Sequence, residues 1–256
     1  MYLQDILEYK RTELAEFKKR HSYADFERKI KTSRPKHAFR KALKKSGLTL
    51  IAEVKKASPS EGLICKDFEP VSIAGIYEKI GASAVSVLTD QKFFQGHMDD
   101  LRKIRDAVSL PLLRKDFILD EIQLLEAKAA GADACLLIVK ALTEQRLSDL
   151  IFCSESLGLD ALVEIHDREE LQIALDSGAT LLGVNNRNLQ TFKTELKTSE
   201  ELIPQIPPSC LRVSESGLET REHVLRVKKA GADAVLIGTR FMKAANKQQL
   251  FQDLFS

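Results

Sequence analysis

Six short apolar runs in this 256-residue chain each stop on a residue of the kind that does chemistry. Leu50-Ile51-Ala52 leads to Glu53 and Lys55, Pro111-Leu112-Leu113 to Arg114-Lys115-Asp116, and Ala161-Leu162-Val163 to Glu164. Leu181-Leu182-Gly183-Val184 leads to Asn185-Asn186-Arg187, Leu211-Arg212-Val213 to Ser214-Glu215-Ser216-Gly217, and Val235-Leu236-Ile237 to Gly238-Thr239-Arg240. One such run would be noise. Recurrence says that many strands end at a common place and that this place is a site. A parallel barrel produces that arrangement, because its strand ends converge on one rim.

A weak internal repeat supports the barrel. Gly81-Ala82-Ser83-Ala84, Gly131-Ala132-Asp133-Ala134 and Gly231-Ala232-Asp233-Ala234 each close an amphipathic stretch and open an apolar run, as does Gly178-Ala179-Thr180. Glycine suits the left-handed residue that ends a helix, so each copy reads as a helix-to-strand connection. Eight runs read as strands: Thr49–Val54, Ala84–Thr89, Pro111–Lys115, Ala134–Val139, Asp160–Ile165, Leu181–Asn185, Leu211–Ser214 and Ala234–Gly238. They lack period-two alternation, as strands buried on both faces do. Helical patterns lie between them, over Asp120–Ala129, Thr143–Leu157, Asp167–Asp176 and Thr220–Ala230. The expectation is an α/β fold, a closed (β/α)8 TIM barrel over residues 47–256. Residues 1–46 fall outside the count. They read as an N-terminal helical extension packed on the barrel, with helices over Tyr2–Lys19, Tyr23–Ile30 and His37–Lys45, the first placing Leu3, Ile6, Leu7, Leu14 and Phe17 partly on one face.

The composition fits one large core: 44% hydrophobic and 30% charged residues. No apolar run is long enough to cross a bilayer, and the N-terminus is charged from Asp5 onward, so neither membrane insertion nor export is expected. Cys65, Cys135, Cys153 and Cys210 show no metal-ligand spacing and suit the reducing cytoplasm. Residues 1–45 hold 14 Lys/Arg against 6 Asp/Glu. Such an arm can bind nucleic acid, but there is no groove-reading motif and few aromatics, so a solvated helical face is the plainer reading.

At the strand ends, Glu53 and Lys55 are two apart and face the same side of a strand. They read as an acid–base or anion-binding pair, with a structural ion pair as the alternative. The loop Lys55–Gly62 has the hydroxyls, Ser58 among them, and the turn formers of an anion-binding loop. Lys115 is expected to have its pKa lowered by burial, Glu164 to have its pKa raised, and both to exchange protons; the bland alternative is that they only pair with each other. Arg114, Asp116, Ser214 and Arg240 read as structural, with Arg114 and Asp116 pointing outward. Asn186 and Asn188 suit either a turn or ligand binding. Ser216-Gly217 and Gly238-Thr239 follow strands seven and eight, where barrels of this kind hold phosphate. Phe93, Phe94 and Phe117 suit either core or apolar walls. His166 suits a supporting or capping role, and no His/Asp/Glu cluster resembles a metal site.

Together these segments resemble one family, indole-3-glycerol phosphate synthase. The resemblance rests on Ile51-Ala52-Glu53-Val54-Lys55-Lys56-Ala57-Ser58-Pro59-Ser60, Leu88-Thr89-Asp90-Gln91-Lys92-Phe93-Phe94-Gln95-Gly96 and Leu113-Arg114-Lys115-Asp116-Phe117. It continues through Leu136-Leu137-Ile138, Leu162-Val163-Glu164-Ile165-His166-Asp167, Gly183-Val184-Asn185-Asn186-Arg187-Asn188-Leu189, Ser214-Glu215-Ser216-Gly217-Leu218 and Leu236-Ile237-Gly238-Thr239. The resemblance implies a carbon–carbon lyase of tryptophan biosynthesis, a carboxy-lyase. Its substrate is the phosphorylated, anthranilate-derived 1-(2-carboxyphenylamino)-1-deoxyribulose 5-phosphate. Ring closure, decarboxylation and dehydration yield indole-3-glycerol phosphate.

By that similarity Lys115 is the general acid of ring closure, and Lys55 binds the anionic substrate and serves the dehydration. Glu53 positions Lys55, Glu164 exchanges protons, and Asn185 and Glu215 orient intermediates with Arg187 nearby. Ser216, Gly217, Gly238 and Thr239 hold the phosphate. Phe94, Phe117, Leu136, Leu189 and Leu236 wall the ring. No metal or organic cofactor is required, and a cytoplasmic monomer with no nucleic-acid or membrane partner is the expectation. Two departures stand out: Gln95 where the family usually has Asn, and Ser214 where Ala often precedes Glu-Ser-Gly. A rival barrel of the same pathway, phosphoribosylanthranilate isomerase, would need a catalytic cysteine at a strand end, and none is there. A non-catalytic metabolite-binding protein would have no need to keep Glu53, Lys115 and Glu164 together.

Overall fold

A computed structural model describes residues 3–30, 35–188, 191 and 193–256. Eight parallel strands close into a barrel: β1 (Thr49–Val54), β2 (Ala84–Leu88), β3 (Leu112–Lys115), β4 (Ala134–Ile138), β5 (Asp160–Ile165), β6 (Leu181–Asn185), β7 (Leu211–Glu215) and β8 (Ala234–Ile237). β8 pairs back onto β1, with Leu50 opposite Val235. These are the eight strands expected, with ends that differ by one residue at most. Every barrel strand is buried nearly end to end, which is why none alternates.

Local signals set the connections. Asp120, Thr143, Asp167 and Thr220 each cap a helix through the side chain. Gly131 and Gly231 leave their helices at φ +90° and +103°, where a side chain would be strained. The aspartates two residues later have a further role. Asp133 Oδ2 accepts the N–H of Leu112 (2.9 Å) at the start of β3, and Asp233 Oδ2 accepts that of Arg212 (2.9 Å) in β7. These two copies of the repeat thereby each fasten one βα unit to the one before it.

Alternation inside the barrel builds layers. Ile51, Leu113, Leu162 and Val213 belong to one inner apolar cluster, and two residues further along the same strands stand Glu53, Lys115, Glu164 and Glu215. The apolar plug thus becomes the floor of a polar site.

The N-terminal residues form α1 (Leu3–Arg20), α2 (Tyr23–Glu27) and α3 (Ala38–Leu43). α1 adds Leu3, Ile6 and Leu7 to the inner cluster, and α3 adds Phe39 and Leu43. They do so at opposite ends. Leu3 and Ile6 line the cavity at the carboxyl ends of the strands. α3 packs on β2 and β5, where Asp160, the first residue of β5, accepts Arg40 N–H (2.8 Å) and pairs with His37 Nδ1 (2.9 Å). No helix among the described residues is long and apolar enough to cross a membrane.

Phe39 is completely buried in this plug. Phe39→Ala is expected to lower unfolding free energy by about 3–5 kcal/mol while kcat of the folded fraction is unchanged. Urea denaturation alongside active-site titration checks it; a stability loss under about 1 kcal/mol would mean that the plug is not a keystone.

Candidate active site

A cavity of about 450 Å³ opens at the carboxyl ends of the strands. Of the residues singled out from the sequence, Glu53, Lys55, Ser58, Phe94, Lys115, Phe117, Leu136, Glu164, Asn185, Arg187, Glu215, Ser216, Gly217, Leu236, Gly238 and Thr239 all line it. Leu189 lies outside the described residues. Phe93 does not line the cavity; its ring meets Tyr9 of α1 edge-on, with centroids 5.5 Å apart.

The floor is an ion cluster. Lys115 Nζ lies 2.9 Å from Glu164 Oε2 and 2.7 Å from Glu215 Oε2. Lys55 Nζ lies 2.8 Å from Glu53 Oε1, as the two-residue spacing required. Asn185 Nδ2 donates to Glu164 Oε1 (3.1 Å), and the Asn185 carbonyl oxygen Oδ1 accepts the N–H of Arg187 (3.0 Å). His166 stands behind Glu164, with Nε2 3.4 Å from Glu164 Oε1 and Nδ1 3.0 Å from Glu170 Oε2. The longer contact is an ion pair rather than a formed hydrogen bond.

Two glycines make room for the carboxylates. A Cβ on Gly183 would lie 2.1 Å from Glu215 Oε1, and one on Gly238 would lie 2.2 Å from Glu53 Oε1. Gly238 therefore has a reason to be glycine beyond approach to a phosphate.

The electrostatics correct two expectations. Lys115 is not depressed by burial: burial acts in that direction, but Glu164, Glu215 and Glu53 outweigh it and hold the ammonium above its ordinary range. Glu164 is not raised. Burial opposes its charge, yet Lys115 and His166 keep the carboxyl well below the usual range. The carboxyl that burial does push up, to about 7, is Glu215, helped by repulsion from Glu164 and Glu53. Its Oε1 is buried with no hydrogen-bond partner, so a proton or a ligand can use it. His166 is raised to about 9, because Glu164 and Glu170 outweigh its burial. Sequence reasoning missed this division because it depends on how three carboxylates from different strands share one ammonium.

The residues expected to hold a phosphate lie together in the cavity lining. Ser216 and Gly217 are both left-handed, at φ +70° and +74°. For Ser216 that conformation is strained, and Asn186 holds it by donating to the Ser216 carbonyl (3.0 Å). Asn186 also donates to Ser214 Oγ (3.1 Å), which lies 2.7 Å from Ser199 Oγ. Ser214 therefore puts its hydroxyl into a buried network where alanine could not. Gly238 precedes a short helix, Thr239–Lys243. Arg187 Nη1 donates to Ser60 Oγ (2.6 Å), and Lys243 pairs with Glu61 (2.5 Å), tying the loop after β1 to the loop after β6 and to the end of that short helix.

The four residues read as structural divide. Arg114 packs outside the barrel, donating to the Gln123 carbonyl (2.7 Å) and pairing with Glu126 (3.0 Å), and Ser214 is in the network above. Asp116 and Arg240 both line the cavity, so Asp116 does not simply point outward. Arg240 Nε donates to the Glu219 carbonyl (3.3 Å). Gln95 sits at φ +51°, a conformation that Asn adopts more readily than Gln. Sequence reasoning did not put α1 at the mouth. The one signal was its apolar face, shared by Leu3, Ile6 and Leu7.

The model of the family described as indole-3-glycerol phosphate synthase matches residues 3–254. The chain is 50% identical over 240 residues to the indole-3-glycerol phosphate synthase of Chlorobium chlorochromatii (strain CaD3), spanning 93% of each chain. It is 55% identical over 199 residues to that of Dehalococcoides mccartyi (strain CBDB1), spanning 77% of each. The structure of 3-hexulose-6-phosphate synthase from Salmonella typhimurium is similar in fold alone, with TM-score 0.61 and 14% identity over 81% of this chain and 96% of its own.

The raised Glu215 carboxyl has a consequence for stability. A carboxyl whose native pKa exceeds its unfolded one stabilises fully below the unfolded value and loses that contribution as pH rises through the native value. Glu215 should thus withdraw stability between its ordinary 4.5 and about 7. Glu215→Gln is expected to abolish that loss, gaining on the parent as pH goes from 4.5 to 8. Urea midpoints at the two pH values check it; parallel pH dependences would count against the raised carboxyl.

Proposed function

Because the chain belongs to the indole-3-glycerol phosphate synthase family, we propose a division of labour among its residues for that family's reaction. The protein is a carboxy-lyase of tryptophan biosynthesis. It converts 1-(2-carboxyphenylamino)-1-deoxyribulose 5-phosphate to indole-3-glycerol phosphate, carbon dioxide and water. The observation that carries the assignment is the Lys115 ammonium, held 2.9 and 2.7 Å from two buried carboxylates on the floor of a cavity with an apolar wall.

Ser216, Gly217, Gly238 and Thr239 take the phosphate. Phe94, Phe117, Leu136 and Leu236 take the aromatic ring, with Leu189 assigned to the same wall on sequence alone. Arg187 and Lys55 face the substrate's carboxylate, and Ser58 shapes the loop over it. Ring closure forms a carbon–carbon bond from the aromatic carbon to the ribulose carbonyl, whose oxygen must gain a proton. Lys115 donates it. A lysine held high by carboxylates is a poor acid, but substrate entering between Lys115 and Glu164 or Glu215 removes what raises it. Burial, which lowers a lysine, then dominates. Loss of carbon dioxide restores the aromatic ring. The new hydroxyl leaves as water with a proton from Lys55, which Glu53 positions. Glu164 takes up the proton that the ring must lose, and Asn185 and Glu215 keep the intermediates in place.

Action as a monomer is part of the proposal, and the reaction of a small metabolite supports a cytoplasmic location. The scheme names neither a metal, a cofactor nor a nucleic-acid or membrane partner. Residues 1–46 act as an extension serving the barrel of residues 47–256.

Lys115→Met, which keeps bulk, is expected to stay folded and lose about 10²–10⁴ in kcat. The chain has no tryptophan, so indole fluorescence reports product directly. An unchanged kcat would remove Lys115 from the acid role, and no product from the parent would sink the assignment. For Glu164→Gln the expected signature is a kcat that falls by a larger factor than KM rises. The opposite split would make Glu164 a binding residue.

A further inference from the structure

The buried face of α1 does not stop with its apolar residues. Leu3, Ile6 and Leu7 are followed one turn later by Lys10, which is only 5% exposed. Its Nζ lies 2.9 Å from Asp116 Oδ1, 3.1 Å from Asp90 Oδ2 and 2.7 Å from Glu13 Oε2. Asp90 and Asp116 are themselves buried, just beyond the ends of β2 and β3. Burial opposes the charge on Lys10, but Asp116, Asp90 and Glu13 hold it protonated.

Each aspartate also fixes one half of an aromatic wall. Asp90 Oδ1 accepts the N–H groups of Phe93 (2.7 Å) and Phe94 (3.2 Å), capping the single turn Gln91–Phe94 that presents Phe94. Asp116 Oδ1 accepts the Phe117 N–H (2.8 Å), while its Oδ2 accepts from Thr89 Oγ1 (2.6 Å) and Arg114 (3.1 Å). The Phe94 and Phe117 rings face the cavity with centroids 6.3 Å apart. One ammonium therefore ties α1 to both segments that carry the wall, through Asp90 and Asp116, which themselves line the cavity.

Seating the helix does not call for a cation. An apolar residue at position 10 would extend the stripe of Leu3, Ile6 and Leu7, and a buried ion cluster is often no more stable than the apolar packing that could replace it. A cation is needed to bring two carboxylates together. Without Lys10 they would repel, since Arg114, although it pairs with Asp116, divides its charge between that carboxylate and Glu126.

We propose that Lys10 is a positioning residue for substrate binding: by bridging Asp90 and Asp116 it sets the spacing of Phe94 and Phe117, the wall that receives the substrate's aromatic ring. The proposal rests on the reading of that wall given above.

Lys10→Met is expected to raise KM at least about tenfold with kcat within about threefold of the parent, and Lys10→Arg to return KM most of the way. A role confined to stability gives a different signature: a smaller active fraction, a lower apparent kcat and an unchanged KM. An unchanged KM in folded Lys10→Met therefore overturns the proposal. If that variant does not fold, Asp90→Asn is measured instead. It keeps the capping oxygen and removes the charge, and is expected to raise KM at least about threefold; an unchanged KM overturns the proposal equally. Phe94→Ala separates the two ideas. If its KM is unchanged the wall reading fails, whereas a raised KM there with an unchanged KM in Lys10→Met defeats only the role of Lys10.

Discussion

Five charged groups on the barrel floor set the terms for the rest of the structure. Glu53, Lys55, Lys115, Glu164 and Glu215 come from four loci on the ring, and Lys115 is shared between two carboxylates within hydrogen-bond reach. Burying so much charge is expensive unless each group is paired. Closure of the barrel meets the condition by bringing the inward positions of β3, β5 and β7 to one height. The glycines at 183 and 238 supply the volume, because a methyl group at either place would occupy a carboxylate oxygen's position. Among the described residues Glu215 Oε1 is buried without a hydrogen-bond partner, and that carboxyl is pushed toward neutrality. The site therefore holds a carboxyl pushed toward neutrality and a protonated lysine side by side.

The N-terminal helices add to the packed interior of the barrel at both of its ends. α3 closes the end away from the chemistry with Phe39 and Leu43, an apolar contact sensitive to volume. α1 closes part of the mouth with Leu3 and Ile6 and fastens itself with Lys10. The two attachments differ in kind. The first is non-directional and stabilises the fold. The second is directional, and it reaches the segments that carry the cavity's Phe94 and Phe117.

Much of this was legible in the chain. Strands buried on both faces are continuous apolar runs, helix ends carry glycine, and helix starts carry Asp or Thr, so eight strands could be placed to within a residue. The site residues were legible for a related reason: in a parallel barrel the last inward position of a strand is at the rim, so a charged residue there has few other places to be. The contact between Glu53 and Lys55 follows from a two-residue spacing alone. Less legible was Lys10, which reads as one basic residue among many in an arm rich in Lys and Arg until its partners, some eighty and a hundred residues away, are known. The roles of Asp116 and Gly238 were half seen for the same reason.

The directions of the site's pKa values were beyond reach of the sequence. Lys115 alone in an apolar pocket would be depressed and Glu164 alone would be raised; together, with Glu215 and His166 beside them, both go the other way. Sequence by itself determined the periodicity, the caps, the strand ends and hence which residues reach the rim, because these depend on neighbours within a few positions. Only the tertiary structure decided which carboxylate shares which ammonium, which carboxyl is left to take a proton, and where α1 lies. Those outcomes depend on distances between groups far apart in the chain, and electrostatic energy at such distances changes sign with who stands nearest.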